Sequence, residues 1–66
     1  MKTANEALNY LAGSPAGVTT LPTSQADKAL LDTGGWMLAR GYMYDVQIKR
    51  LSAKVSRISL KRRVYA

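Results

Sequence analysis

The side chains best suited to chemistry in this sequence are basic, and most of them lie near the C-terminus. The last twenty residues, QIKRLSAKVSRISLKRRVYA, contain seven Lys or Arg and no acid. All four acids precede Val46, so residues 1–46 carry three basic and four acidic side chains, a net charge of −1, against +7 for the tail. Such a cluster can bind phosphate backbones, acidic protein grooves or anionic lipid heads. Its members are Lys49, Arg50, Lys54, Arg57, Lys61, Arg62 and Arg63.

Catalytic chemistry finds little support in the sequence. The chain has no Cys and no His, and its four carboxylates are scattered, so the usual nucleophiles, general bases and metal ligands are missing. The segment GSPAGVTTLPTS is rich in Gly and Pro but lacks the Gly-Lys-Ser/Thr and G-x-G-x-x-G patterns of phosphate loops. We therefore expect a protein that is not an enzyme and that uses no cofactor or metal.

The length points to a small domain that needs support from outside its own core. A chain of 66 residues buries only about 60% of its unfolded surface, so a partner or self-association would add stability. The N-terminal MKTANEALNY has no continuous apolar core, so we expect no secretion by a signal peptide. The apolar runs are too short for a membrane span. A virion or the host cytoplasm is the expected location, in keeping with the absence of Cys.

The segment TANEALNYLAG has the signals of a short helix. Thr3 and Glu6 fit a capping box, in which each side chain satisfies the other's free backbone amide. Apolar residues recur at helical spacing, and Gly13 followed by Pro15 favours an end there. These signals predict a helix over residues 4–12.

A second helix is expected over residues 24–40. Ser24 and Asp27 resemble another capping start, and Ala and Leu recur at helical spacing. Gly34 and Gly35 fall inside this segment, where each costs roughly 1 kcal/mol relative to Ala. We interpret them as a kink or a point of close backbone packing, and Gly41 as the helix end.

The segment YMYDVQIKRLSAKVSRISL has two interpretations. As a helix over 45–59 it places an apolar stripe opposite a basic stripe, the latter formed by Arg50, Lys54, Arg57 and Lys61. As strands, the pairs Val46/Ile48 and Ile58/Leu60 alternate, but no turn signal separates them. The helix is favoured, with residues 60–66 as an extended arm.

The expected fold class is therefore mainly α: a two- to three-helix domain with a basic amphipathic C-terminal helix and an extended arm. The alternative is α+β, with the C-terminal third as strands. Residues 1–45 would form the helical core and residues 46–66 the basic segment and arm. The residues expected to pack the core are Leu8, Leu11, Leu30, Met37, Leu51 and Val55.

Parts of the sequence resemble the N-terminal portion of the head–tail adaptor (connector or tail tubular) proteins of tailed phages. The matching segments are ANEALNYLAGSPAGVTTLP, ADKALLD and ARGYMYD, within residues 4–45. In that family the last motif closes the second helix, and long side chains stand where this chain has Gly34 and Gly35. The resemblance implies a non-enzymatic ring subunit whose C-terminal segment grips a neighbour, and it transfers no site residues.

The favoured function is a structural assembly module of a phage virion that docks on a larger, acidic protein partner as a homo- or hetero-oligomer. Trp36 could anchor such an interface, since Trp is frequent at binding hot spots, or fill the core. The alternative is a small nucleic-acid-binding domain with mainly phosphate contacts, because few base-reading side chains accompany the cations. The residues expected to bind the partner are Arg50, Lys54, Arg57, Lys61, Arg62, Arg63, Tyr65 and Trp36.

Overall fold

The computed structural model describes residues 2–64, which fold into two helices and one four-stranded antiparallel sheet. The sheet has the strand order β1-β4-β3-β2. Both edge strands therefore come from the first two thirds of the chain, and the basic C-terminal third supplies the two central strands. In chain order the elements are α1 (Ala4–Gly13), β1 (Val18–Pro22), α2 (Thr23–Thr33), β2 (Trp36–Ala39), β3 (Tyr42–Arg50) and β4 (Val55–Arg62).

This architecture is α+β, so the expectation of a mainly α fold is wrong. The expected helix over 45–59 is instead the β3–β4 hairpin, which extends to Arg62 and so also includes the first residues of the expected arm. The division proposed after residue 45 falls inside β3. The apolar residues at 48, 51, 55 and 58 fit helical spacing, but Val46/Ile48 and Ile58/Leu60 also fit the two-residue period of a strand. Pairing with β1 and β2 favours the strands over the helix.

The β3–β4 turn is formed by residues 51–54 without Gly or Pro. The Ser52 hydroxyl oxygen accepts hydrogen bonds from the backbone N–H of Lys54 at 3.3 Å and of Val55 at 3.1 Å. The backbone N–H of Leu51 and of Ser52 both reach the carbonyl of Val55. A serine turn of this kind satisfies the backbone locally, which explains how a hairpin forms where no strong turn residue stands.

Helix α1 confirms the prediction for residues 4–12 to within one residue. The Thr3 hydroxyl accepts the Glu6 backbone N–H at 3.2 Å, as a capping residue does. The Glu6 carboxylate accepts a hydrogen bond from the same hydroxyl at 3.2 Å, so Glu6 contacts the capping side chain of Thr3. The buried face of the helix consists of Ala4, Ala7 and Leu11.

Helix α2 ends at Thr33, and the predicted continuation to residue 40 is wrong. Gly34 caps it in the left-handed conformation with φ of 66°, and Gly35 follows with φ of 91°. No atom lies within 4 Å of where a Cβ would stand on either glycine, so backbone conformation and not close packing explains them. The start also differs, because the N-cap is Pro22 with no side-chain hydrogen bond, and Ser24 lies inside the helix.

The β2–β3 connection is a two-residue hairpin turn at Arg40 and Gly41. Their φ values of 49° and 82° are both positive, as a type I′ turn requires. The Arg40 guanidinium donates to the Gly13 carbonyl from Nε at 3.2 Å and from Nη2 at 3.0 Å. Gly41 therefore shapes a hairpin rather than ending a helix, and Arg40 ties that hairpin to the end of α1.

Both helices pack on one face of the sheet, around a core of small and aliphatic side chains. Leu11 and Met37 contribute to it as predicted, as does Leu8. Leu30, Leu51 and Val55 were expected in the core, but they are 42%, 49% and 37% exposed. The wrong assignments of Leu51 and Val55 follow from the helical interpretation, since a turn and a strand orient these residues differently. Leu30 is on a helix as expected, but the buried face of α2 consists of Ala26 and Ala29. The buried core comprises Ala4, Ala7, Leu11, Leu21, Ala26, Ala29, Val46 and Ile58.

Candidate functional site on the open sheet face

The sheet has a second face, opposite the helices, and most of its side chains are exposed. Side chains alternate between the two faces along each strand, and directly paired residues share a face. Since Ile48, Ile58 and Val46 point into the core, their neighbours in the chain point away from it. We call this second surface the open face. It comprises Val18, Thr20, Trp36, Leu38, Met43, Asp45, Gln47, Lys49, Val55, Arg57, Ser59, Lys61 and Arg63.

Two cations stand side by side on the two central strands of the open face, next to the β3–β4 turn. Lys49 on β3 pairs directly with Arg57 on β4. The backbone N–H of Arg63 donates to the Met43 carbonyl at 2.9 Å, so residues 43 and 63 form a hydrogen-bonded pair. Hydrogen-bonded and non-hydrogen-bonded pairs alternate along an antiparallel ladder, so residues 49 and 57 also form a hydrogen-bonded pair. In such pairs the Cα atoms lie about 5.5 Å apart. Within residues 2–64 neither of the two cations makes a side-chain hydrogen bond or an ion pair.

The single carboxylate of the open face is already engaged. Asp45 forms an ion pair with Arg63, whose Nε also donates to the carboxylate at 3.0 Å. Arg63 further reaches the Met43 sulfur at 3.3 Å. The open face thus holds four cations against one carboxylate, a net charge of +3. The other three are Lys49, Arg57 and Lys61. None of them forms an ion pair within residues 2–64, although Lys61 lies directly across from Asp45.

The remaining acids lie in the helical layer. Glu6 is on α1, and Asp27 and Asp32 are on α2. The two helices contain one basic residue, Lys28, so their combined charge is −2. The two helices are therefore negative and the open face is positive, while Arg50 and Arg62 add positive charge on the helix side of the sheet.

A shallow depression lies between the central cations. Its volume is about 440 Å³, and it is lined by Gln47, Ile48, Lys49, Arg57 and Ser59. Gln47 and Ser59 are themselves directly paired across the strands. Ammonium, guanidinium, amide and hydroxyl groups in one place provide charged and neutral hydrogen-bond donors for an anion with several oxygens.

The structure divides the predicted partner-binding residues between two faces. Arg57, Lys61, Arg63 and Trp36 lie on the open face. Arg50 and Arg62 lie on the helix side by the same alternation, and the Arg62 guanidinium stacks 3.7 Å from the centroid of the Tyr42 ring. Lys54 is in the β3–β4 turn, and Tyr65 lies outside the described residues.

The expected basic stripe of Arg50, Lys54, Arg57 and Lys61 therefore does not form, because a strand period replaces the helical one. Lys49, Gln47 and Ser59 belong to the site but were not predicted as binding residues. The alternation of Val46 with Ile48, and of Ile58 with Leu60, would have identified them, since it places residues 47, 49 and 59 together on the side away from the core.

Apolar side chains occupy the two ends of the open face. Trp36 and Leu38 on β2 are 43% and 63% exposed, and Val18 on β1 is 56% exposed. Between these ends the exposed side chains of β3 and β4 are mainly charged or polar. The open face thus has a polar, cationic centre with apolar margins.

The fold and this surface define a small two-layer α+β protein with one helical face and one open, basic sheet face. No family model, curated protein or solved structure matches this chain. The resemblance to phage head–tail adaptors therefore stays a prediction, and its ARGYMYD segment forms the β2–β3 hairpin here. Neither helix within residues 2–64 has the length and apolarity needed to cross a membrane.

Proposed function

We propose that this protein binds nucleic acid through the open face, with mainly phosphate contacts and no catalytic step. The observation that carries the proposal is the position of Lys49, Arg57 and Lys61. They lie on the two central strands, on the exposed side, and form no ion pair in the part of the chain that the structure describes. Neutralising phosphates with such side chains releases condensed counterions, which drives binding without sequence preference.

The layout of the open face favours a phosphate backbone over an acidic protein surface. Protein interfaces have a centre depleted of charge, enriched in aromatic and apolar side chains, and surrounded by a polar rim. Here the order is reversed, with cations in the centre and Leu38 and Val18 at the margins. A polyanion with a hydrated surface suits a charged centre better than a second folded protein does.

The neighbouring groups support contacts to the backbone more than reading of bases. Gln47 and Ser59 can donate to phosphate or sugar oxygens beside the central cations. Arg57 and Lys61 are four residues apart on β4, about 13 Å along the strand, so one bound chain can reach more than one cation. Trp36 offers an aromatic surface at the margin for stacking of an unpaired base.

The proposal is tested by following backbone amide resonances of the ¹⁵N-labelled protein during titration. The probes are a single-stranded oligonucleotide, a duplex of the same sequence, and polyglutamate. We expect the oligonucleotides to shift amides of residues 47–49 and 57–61, and the helices to shift little. Comparison of the first two probes distinguishes single strands from duplex. Shifts confined to the helices, or no shifts with either oligonucleotide, would contradict the proposal.

A structural assembly module that docks on an acidic protein surface is the second candidate. The exposed Leu38 and Val18 favour it, because apolar side chains at the margins could add contact area to a charge-complementary surface. In the same titration this candidate predicts that polyglutamate binds at least as tightly as oligonucleotides of equal charge.

A further inference from the structure

The two edges of the sheet differ in how they are protected. At the β1 edge, Pro22 removes one backbone donor, and Lys2 lies alongside, with its Nζ donating to the Thr19 hydroxyl at 2.7 Å. Proline and lysine at an edge are common means of preventing strand addition. The β2 edge has the sequence Trp-Met-Leu-Ala and carries neither.

The register shows which backbone groups of β2 face outward. The N–H of Val46 donates to the Gly35 carbonyl at 2.9 Å, which marks 35/46 as a hydrogen-bonded position. By the antiparallel alternation, residues 37 and 39 also direct their groups to β3. Trp36 and Leu38 therefore direct both N–H and C=O toward the free edge, and their side chains lie on the open face.

We propose that two copies of this chain pair through β2, antiparallel and about a two-fold axis at Met37. Three registers would pair the outward backbone groups of the two copies: Trp36 with Trp36, Leu38 with Leu38, or Trp36 with Leu38. Only the last, which is centred on Met37, places the Trp36 of each copy across from the Leu38 of the other. All four outward groups then form hydrogen bonds across the junction. The result is a continuous eight-stranded sheet with the two open faces on the same side.

A second copy fits this edge better than an unrelated strand because the edge is complementary to itself. In the Met37-centred register, each indole lies across from a leucine side chain on the open face, so two equal apolar contacts form. Both residues that pair across the two-fold axis are present on the one edge strand.

The charge pattern also permits this approach of two copies. The charged groups of the open face nearest to β2 are Asp45, paired directly with Trp36, and its ion-pair partner Arg63. They neutralise each other. Lys49 lies four residues beyond Asp45, about 13 Å along β3. Arg57 and Lys61 are on β4, a strand further from β2, with Lys61 directly across from Asp45. Arg40 adjoins β2, but its guanidinium is directed to the Gly13 carbonyl at the end of α1. The unpaired cations of the open face therefore lie at least one strand away from the junction.

The interface is small, so the dimer should be weak and concentration-dependent. Sedimentation velocity over about two decades of protein concentration tests it. We expect the unmodified protein to shift from monomer to dimer. Leu38→Lys should stay monomeric, because a lysine at this outward position blocks pairing. The matched control is Val18→Lys at an outward position of the β1 edge, which should dimerise like the unmodified protein.

Amide hydrogen exchange of the unmodified protein gives a second test that does not depend on any variant folding. The amides of Trp36 and Leu38 should exchange at least tenfold more slowly at high than at low protein concentration, and the Val18 and Thr20 amides should not change. A monomer at every concentration, association beyond the dimer, or equal loss of association in the two lysine variants would overturn the proposal. It stands independently of nucleic-acid binding, because none of these measurements uses a ligand.

Discussion

Lys49 lies directly across from Arg57 on the face of the sheet that points away from both helices. Like charges in this position destabilise a sheet, and the carboxylate of the open face is held by Arg63. The hairpin therefore contains an unfavourable pair near its turn. A bound polyanion would neutralise it, so the same two residues should affect folding and binding in opposite directions.

Lys49→Gln should raise the free energy of unfolding at low ionic strength. The substitution removes the repulsion and keeps most of the side-chain length, so we expect a gain of up to about 1 kcal/mol. The gain should shrink with added salt, which screens exposed charges. Urea denaturation at two salt concentrations measures it. A loss of stability that is independent of salt would indicate that the lysine contributes through packing.

Gly41→Ala should destabilise the β2–β3 hairpin. The φ of 82° at Gly41 is strained for any residue with a Cβ, and we expect a loss of about 1–2 kcal/mol. Gly13→Ala is the matched control, because Gly13 lies in α1 without a positive φ and with nothing within 4 Å of its Cβ position. That change should be neutral or stabilising by up to about 1 kcal/mol. Thermal unfolding by circular dichroism compares the two, and equal effects would contradict the turn assignment.

Ser56→Ala should destabilise the junction between β4 and the start of α2. Ser56 is fully buried, and its hydroxyl shares a 2.9 Å hydrogen bond with the hydroxyl of Thr23. Losing this partner should lower the free energy of unfolding by about 1 kcal/mol. Thr23→Ser retains the hydroxyl and serves as the control, with a smaller expected loss. If Thr23→Ser costs as much as Ser56→Ala, the methyl group of Thr23 matters more than the hydrogen bond.

The sequence predicted local features better than pairing between distant segments. Helix α1 was predicted to within one residue because the Thr3 cap and the Gly13 end are local signals. The same logic failed at Gly34 and Gly35, which end α2 in the left-handed conformation, where the sequence was interpreted as a kinked helix. A double glycine is compatible with a kinked helix and with a helix end. The pairing of β2 with β3 requires the helix to end there.

The C-terminal third shows why the composition of the site was predicted but its geometry was not. The cluster of cations was evident from the sequence. Its arrangement depends on whether the period is 3.6 or 2, because a helix would place Lys54 and Lys61 beside Arg57, whereas the hairpin places Lys49 there. Ser52 makes the turn through its side chain. That signal is too weak to identify a hairpin before the pairing with β1 and β2 is known.

Binding should depend on where the cations lie and not on net charge, and two triple variants separate these two properties. One replaces Lys49, Arg57 and Lys61 with Gln. The other replaces Lys28, Arg50 and Lys54, which are also two lysines and one arginine but lie outside the open face, so both proteins have a net charge of +3.

Fluorescence anisotropy of a labelled single-stranded oligonucleotide, measured over a range of salt concentrations, compares both variants with the unmodified protein. The open-face variant should bind at least tenfold more weakly, and the slope of log K against log salt should fall by about 2, near 0.7 for each lost phosphate contact. The second variant should keep a slope close to that of the unmodified protein. Equal losses of affinity and slope in the two variants would mean that binding follows net charge and not the position of the cations.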